Sequence, residues 1–316
     1  MTTTSPQKTN RTPVRLGDRI FTSLSVGSGL LIFAALLAVF LFLLAQSWDA
    51  IRASTEVMGQ SGEFSLAEFV GPLVFGTVLA AGLALVMAVP VAVGIALFIS
   101  HFAPRKLATP IGYVVDLLAA VPSVVFGLWG GVWLVPKLEP AFRFLHESLF
   151  TRWFPMFQGS DQEVTSPMRN VLAAAVVLAV MILPIITAVS REVFLQVPRL
   201  NEEAALALGA TRWEMIRTVV LPFGRSGVVS ASMLGLGRAL GETMAVLMVM
   251  APGLTYTLHV LAVGQHSTIA SYIAAQNAES TGLDMSKLIF AGLVLFVITF
   301  IINFIARAIV SASSKK

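Results

Sequence analysis

The 316-residue sequence contains no cysteine, and that absence removes disulfides, zinc–thiolate centres and thiol nucleophiles together. Charge is also scarce. Asp, Glu, Lys and Arg make up 12% of the residues, apolar types make up 56%, and the mean hydropathy is +0.84. Soluble domains carry roughly a quarter charged residues, so this composition describes an integral membrane protein. No G-x-x-x-x-G-K-[ST] run occurs, and ATP chemistry would therefore have to come from another subunit. The net charge is +4 and the pI about 9.7. In a membrane protein an excess of Lys and Arg marks the cytoplasmic side, so no nucleic-acid partner is expected.

What the sequence does have is long apolar runs. A polar, basic stretch over residues 1–23 reads as a cytoplasmic tail, and residues 24–46 as a first transmembrane helix. That run matches the roughly 20 residues needed to cross a hydrocarbon core, and exceeds the ~7–15 apolar residues of a signal peptide. Further spans are predicted over 69–99, 111–135, 171–189, 226–250 and 288–310, which makes an all-α protein with six transmembrane helices. The second is punctuated by Pro72 and Pro90, which a bundle tolerates where neighbours re-satisfy the freed backbone. Residues 46–68, 136–170 and 251–286 form the external segments, and 191–225 an internal loop. In this topology fourteen Lys and Arg fall inside and six outside, with Arg238 left within a span. The bias satisfies the positive-inside rule and puts both termini in the cytoplasm.

Residues 201–222, NEEAALALGATRWEMIRTVVLP, stand apart from these runs by their charge. Asn201 is a suitable N-cap, with Glu202 and Glu203 where carboxylates favour the positive end of a helix. Gly209 sits where that helix would stop in a left-handed turn. Thr211 and Glu214 form a T-x-x-E capping box for a second helix, which Pro222 is predicted to end.

Two charges fall inside the fifth span, in MLGLGRALGETMAV over residues 233–246. Arg238 and Glu242 are four apart and are predicted to share one helix face with Gly227, Ser230, Ala231, Gly235, Gly241 and Ala245. A charge at the centre of a membrane costs about 2.5–3.5 kcal/mol even on insertion scales, so this face must meet protein or water. Two readings stand open. Arg238 lines a path for an anion, since a guanidinium offers a planar fork to oxyanion oxygens. Alternatively the pair neutralises itself and pins helices, with the glycines allowing close packing. Asp116, near the start of the third span, is a weaker candidate for the same path, either pairing with Arg238 or gating it; the alternative is a residue that simply sits near the cytoplasmic interface. His259 and His266 lack companion ligands, so no metal or other cofactor is expected and both are read as external polar surface. Trp129, Trp133 and Trp153 are assigned to interfacial belts.

The spacing of Glu203, Ala204, Ala205, Gly209, Val219, Leu221 and Pro222 resembles the EAA loop of ABC-importer permeases, with Val219 where that family usually has Ile. The resemblance implies a type I (MetI-like) permease bundle over residues 69–310, whose loop 191–225 docks on an ATPase subunit. The runs GLGRALGET and PSVVFGLWG are similar to those of the PstC-type permeases of phosphate importers. That likeness implies import of inorganic phosphate, with Arg238 and Glu242 functionally important. It also implies four partners besides membrane lipid: a PstA-like second permease, a PstB-like ATPase dimer, an external PstS-like phosphate-binding protein, and phosphate itself. The chain would do no covalent chemistry. A permease of the same build carrying molybdate or sulfate, and a secondary transporter with Glu242 or Asp116 as proton relay, are the alternatives.

Overall fold

The computed structural model of the chain describes residues 16–56, 65–147, 154–157 and 164–313. The polar stretch over residues 1–15, together with Glu63, Trp153, Asp161 and Glu163, lies outside them. The described residues are mostly helical; the exceptions are connecting turns, the irregular segments over 164–169 and 250–268, and one isolated bridge between Asn170 and Val263. In chain order the first helices are α1 (Leu16–Gln46), α2 (Trp48–Glu56), α3 (Leu66–Leu97), α4 (Arg105–Ala119), α5 (Ser123–Trp129) and α6 (Val135–Glu147). They are followed by α7 (Val171–Leu195), α8 (Arg199–Ala207), the single turn α9 (Arg212–Met215) and α10 (Leu221–Leu240). The last are α11 (Met244–Val249), α12 (Ile269–Gln276) and α13 (Leu283–Ser313). Among the described residues five helical stretches are long and apolar enough to cross a membrane; the pair Lys106–Ala119 and Ser123–Glu147, bent by 91°, passes the same test only when its two helices are taken together.

The bundle is built around α3 and α7. In α3, Ala80, Ala84, Ala88, Ala92 and Ala96 recur every four residues, and all are buried. Residues four apart lie on one helix face, and a face of methyl groups lets a neighbouring backbone approach closely. Against this face α7 packs Ala174, Val177, Leu178, Met181 and Ile182. The Thr187 hydroxyl donates to the Ala92 carbonyl across the contact at 3.4 Å. Pro72 and Pro90 both sit inside α3 without ending it. The start of α3 is fixed by a capping box in which the Ser65 hydroxyl accepts from Glu68 N–H and the Glu68 carboxylate accepts from Ser65 N–H.

Two of the predicted spans are not single helices. The third turns by 91° at residues 120–122, between α4 and α5. The fifth stops at Leu240 and resumes at Met244. Pro122 explains the first break, because proline disfavours helix in the residue before it. At the second, the Thr243 hydroxyl turns back and donates to the Gly241 carbonyl at 3.2 Å.

His266 is not surface. It is 1% exposed, stacks on Phe75 with ring centroids 6.1 Å apart, and bonds through Nε2 to the Thr257 carbonyl at 2.7 Å. Burial holds its pKa below the ordinary imidazole value, so the ring is neutral at neutral pH and Nε2 carries the hydrogen that the carbonyl accepts. Trp129 and Trp133 stack on each other with centroids 5.7 Å apart.

The alanine ladder yields a stability prediction. Ala84→Leu places a branched side chain in the close α3–α7 contact and is expected to cost about 1–3 kcal/mol by overpacking. Thermal unfolding of the purified protein in detergent would show a lowered midpoint. Gly82, two residues earlier on the same helix, has open space where a Cβ would stand. Gly82→Ala should therefore not lower the midpoint.

Candidate functional site

Two regions carry the residues singled out by sequence. The first is the charged hairpin. Its opening helix begins two residues before Asn201, at Arg199, with Pro198 as N-cap. Asn201 is thus inside the helix, because proline pre-sets the entry angle without needing a donor. At the other end the Ala210 N–H bonds the Ala205 carbonyl at 3.2 Å and the Gly209 N–H bonds the Leu206 carbonyl at 3.0 Å, with Gly209 at φ +87°. These are the paired 6→1 and 5→2 bonds of a Schellman motif. They give the A-x-x-x-G spacing a physical meaning: Ala205 supplies the carbonyl and Gly209 the left-handed residue. The Thr211–Glu214 capping box is present with both of its bonds.

Pro222 does not end the second helix. Residues 216–220 form a wide π turn closed by the Leu221 N–H on the Ile216 carbonyl, and Pro222 falls in the first turn of α10. The register change comes just where proline's donor would be missing, so the helical path runs unbroken from Arg212 to Leu240. Beneath the hairpin a separate cluster joins Ala96, Phe194, Val197, Met215, Ile216 and Val220, with Ala205, Val219 and Leu221 against it. Glu202 adds a polar tie, its Oε1 lying 3.4 Å from His101 Nε2 just beyond the end of α3. Glu203, Ala204, Gly209 and Pro222 remain exposed. Leu200, Leu208 and Trp213 are exposed around them, at 76%, 90% and 58%. Large exposed apolar side chains thus flank the charged residues of the hairpin.

The second region is the pair of broken helices. Glu242 is not on a helix face shared with Arg238, because α10 has ended two residues earlier. Its carboxylate, in a residue 7% exposed, turns to the following helix and accepts the Ala245 N–H at 3.1 Å. At the far end of α11 the Arg169 guanidinium donates to the Leu247 and Met248 carbonyls. The helix therefore has a carboxylate at its positive end and a guanidinium at its negative end, which is the favourable sense for both. Nothing in the sequence singles out Arg169, which reads there as one of several loop cations.

The doubly capped helix sits on α5. A Cβ on Gly127 would lie 2.7 Å from Ala245 Cα, and one on Gly131 would lie 2.9 Å from the Met248 carbonyl oxygen. Only glycine permits that approach. The PSVVFGLWGG and GRALGETMAV runs, more than a hundred residues apart in sequence, thus meet as one packed unit. Asn170, next to Arg169, caps α7, accepting the Ala173 N–H at 2.8 Å, and donates to the Leu261 carbonyl at 3.1 Å.

Arg238 is on the last turn of α10, about 26 Å along the helix path from Leu221. Among the described residues no hydrogen bond or ion pair engages its guanidinium. It lines an open groove of about 750 Å³ between α10 and α13, together with Ser230 and Gly237. The predicted small-residue face is divided: Gly227 and Gly235 meet Val193 and Ile186 of α7, whereas Ser230 and Arg238 turn to the groove. Asp116 is exposed on α4 and is not paired with Arg238. Among the described residues no cluster of His, Asp and Glu forms a metal site.

The family model described as "Binding-protein-dependent transport system inner membrane component" matches residues 88–315. The chain is 48% identical over 304 residues to the phosphate transport system permease protein PstC 2 of Mycobacterium tuberculosis, covering 94% of this chain and 93% of that one. The PstC of Mycobacterium leprae is 45% identical over 276 residues, covering 85% of each. That of Mesorhizobium japonicum is 38% identical over 300 residues, covering 92% of this chain and 89% of the relative. Among solved structures, the MetNI methionine ABC transporter in an inward-facing conformation has a TM-score of 0.53 at 20% identity, over 78% of this chain and 95% of that one.

The capping arrangement makes a prediction about Glu242. Glu242→Gln keeps an acceptor oxygen for the Ala245 N–H and should unfold close to the wild type. Glu242→Ala removes it and should lose about 0.5–2 kcal/mol, the usual cost of a missing cap. Thermal unfolding of both variants in detergent checks this, and equal losses would show that charge rather than capping is at stake.

Proposed function

Because the chain belongs to the family of binding-protein-dependent transport system inner membrane components, the permeases of ABC importers, we propose that it is the permease subunit through which such an importer moves inorganic phosphate across the cytoplasmic membrane. The observation that carries the substrate is the 48% identity to a phosphate permease across 94% of the chain. Both termini face the cytoplasm. A PstA-like permease stands beside the chain and completes the path, a PstS-like binding protein delivers phosphate at the opposite face, and a PstB-like ATPase dimer holds the hairpins.

The hairpin is suited to that last contact. Its exposed face offers Glu203, Ala204, Gly209 and Leu208 to the ATPase, while its buried face is locked to the ends of α3 and α7. Force applied at the hairpin passes without interruption into α10, since the π turn keeps the helix continuous through Pro222. The same helix carries Arg238 at its other end. ATP binding in the partner thereby moves the guanidinium relative to α13 and changes which side of the membrane the phosphate path faces. Arg238 holds the ion transiently by charge-assisted hydrogen bonds. Glu242, turned away from the guanidinium, shapes the path by holding α11 in place.

Phosphate uptake and ATPase activity, measured on the complex assembled with its partner subunits, test this reading. Arg238→Gln should lower uptake at least tenfold while assembly and ATP hydrolysis persist, about what loss of one charge-assisted bond implies. Glu203→Lys should lower uptake and ATPase activity together without affecting membrane insertion. Wild-type complexes that carry molybdate or sulfate but no phosphate would keep the architecture and overturn the substrate.

A further inference from the structure

The groove beside Arg238 has a second cationic end. Its α13 wall contributes Thr299, Asn303 and Arg307, four residues apart and so on one helix face. The remaining faces of that stretch are membrane-grade, with Phe300, Ile301, Phe304 and Ile305 all exposed. Eight residues of helix separate Thr299 from Arg307, about 12 Å. The two helices run in opposite directions, since α10 rises from the hairpin and α13 descends from the end where Ala291 packs on Val70 and Leu73. Arg238 pairs in height with Thr299, and Arg307 with Ser230, so the two guanidiniums mark opposite ends of the groove.

The donors and acceptors along it are unequal. The Ser230 hydroxyl donates its hydrogen to the Ser226 carbonyl at 2.9 Å, and the Thr299 hydroxyl donates its own to the Leu295 carbonyl. Asn303 Nδ2 uses one hydrogen on the Thr299 carbonyl at 2.9 Å. What remains to meet a ligand is one amide N–H and two guanidinium forks with five N–H donors each. Among the described residues neither Arg238 nor Arg307 has a hydrogen bond or ion pair. No Asp or Glu occurs in residues 221–240 or 285–313, so neither wall can supply a counter-charge. Met233, Leu234 and Ala306 make the rest of the lining apolar, so a groove with free cationic donors at both ends and no acid on either wall suits an anionic group, alone or carried on an apolar body.

We propose that this groove is a two-station site for a phosphate group, with Arg307 as the second station and Asn303 between it and Arg238. The group comes from one of two sources. It is either free phosphate leaving Arg238 toward the hairpin face, a source that rests on the function proposed above, or the headgroup of an anionic phospholipid seated between α10 and α13. Arg307 is exposed near the end of α13, so its replacement leaves the packing untouched. Asn303→Ala provides a second, uncharged probe of the same groove.

The test uses the complete complex carrying wild-type chain, Arg307→Gln, Arg307→Lys or Asn303→Ala. Phosphate uptake is measured in vesicles of phosphatidylcholine alone and in vesicles containing phosphatidylglycerol, and retained phosphatidylglycerol is counted by native mass spectrometry. For the free ion, Arg307→Gln lowers uptake about tenfold in both kinds of vesicle, with Arg307→Lys and Asn303→Ala intermediate and lipid retention unchanged. For the headgroup, Arg307→Gln loses the retained phosphatidylglycerol, and uptake falls only where that lipid is present. Either result supports the site. Unchanged uptake and unchanged lipid retention in an assembled Arg307→Gln complex overturn it. A wild-type complex that carries no phosphate refutes the transport reading instead, and Arg307-dependent lipid retention would then still stand.

Discussion

A backbone amide or carbonyl at membrane depth must find a partner within the protein, because hydrocarbon supplies none. That requirement governs the structure most sharply where helices break. At residues 120–122 the cost is limited by Pro122, which has no N–H to satisfy, and by the Ala120 and Val121 amides, which close short turns on Leu117 and Leu118. At residues 241–243 the solution is different. The carboxylate of Glu242 takes an amide at the start of α11, and the guanidinium of Arg169 takes two carbonyls at its end. A helix of six residues has few internal bonds of its own, and these two ionic caps serve one of the amides and two of the carbonyls that its ends leave open. The glycines at Gly127 and Gly131 then let it lie flat against a neighbour.

The same requirement separates the roles of the two charges in the fifth span. Glu242 is committed to backbone and Arg238 is not. A buried carboxylate that has a structural task leaves its neighbouring guanidinium uncompensated, and an uncompensated guanidinium in a groove is available to a ligand. At the other end of α10 the hairpin is fixed by a compact apolar cluster and the His101–Glu202 contact. One continuous helical path therefore joins the exposed hairpin to the groove that Arg238 lines.

Much of this is legible in the sequence, for reasons that differ by element. Apolar runs announce the crossings, since length and composition alone determine what can sit in a bilayer. Gly209 and the Thr211–Glu214 box are legible because both are local signals, complete within a few residues. Asn201 and Pro222 mislead where proline chemistry competes with a plausible cap or stop. The predicted Arg238–Glu242 face fails because four-residue spacing implies a shared face only if the helix continues, and it has ended before Gly241. Arg169 and Arg307 cannot be ranked from sequence: their partners, or lack of them, are set by elements remote along the chain. The buried state of His266 is hidden for the same reason, since Phe75 and Thr257 enclose it only after folding.

The periphery bears on how the chain is made. Helix α1 buries none of its apolar stretch within the protein and rests chiefly on α13, where Phe40 and Phe296 meet with ring centroids 6.0 Å apart. A helix that leaves the ribosome early thus waits for one that leaves it late. While the intervening helices are synthesised it has little but the adjacent α2 to pack on, and its uncharged run from Thr22 to Gln46 suits it to lipid. Its main contact in the protein, with α13, can form only once the last helix has been made.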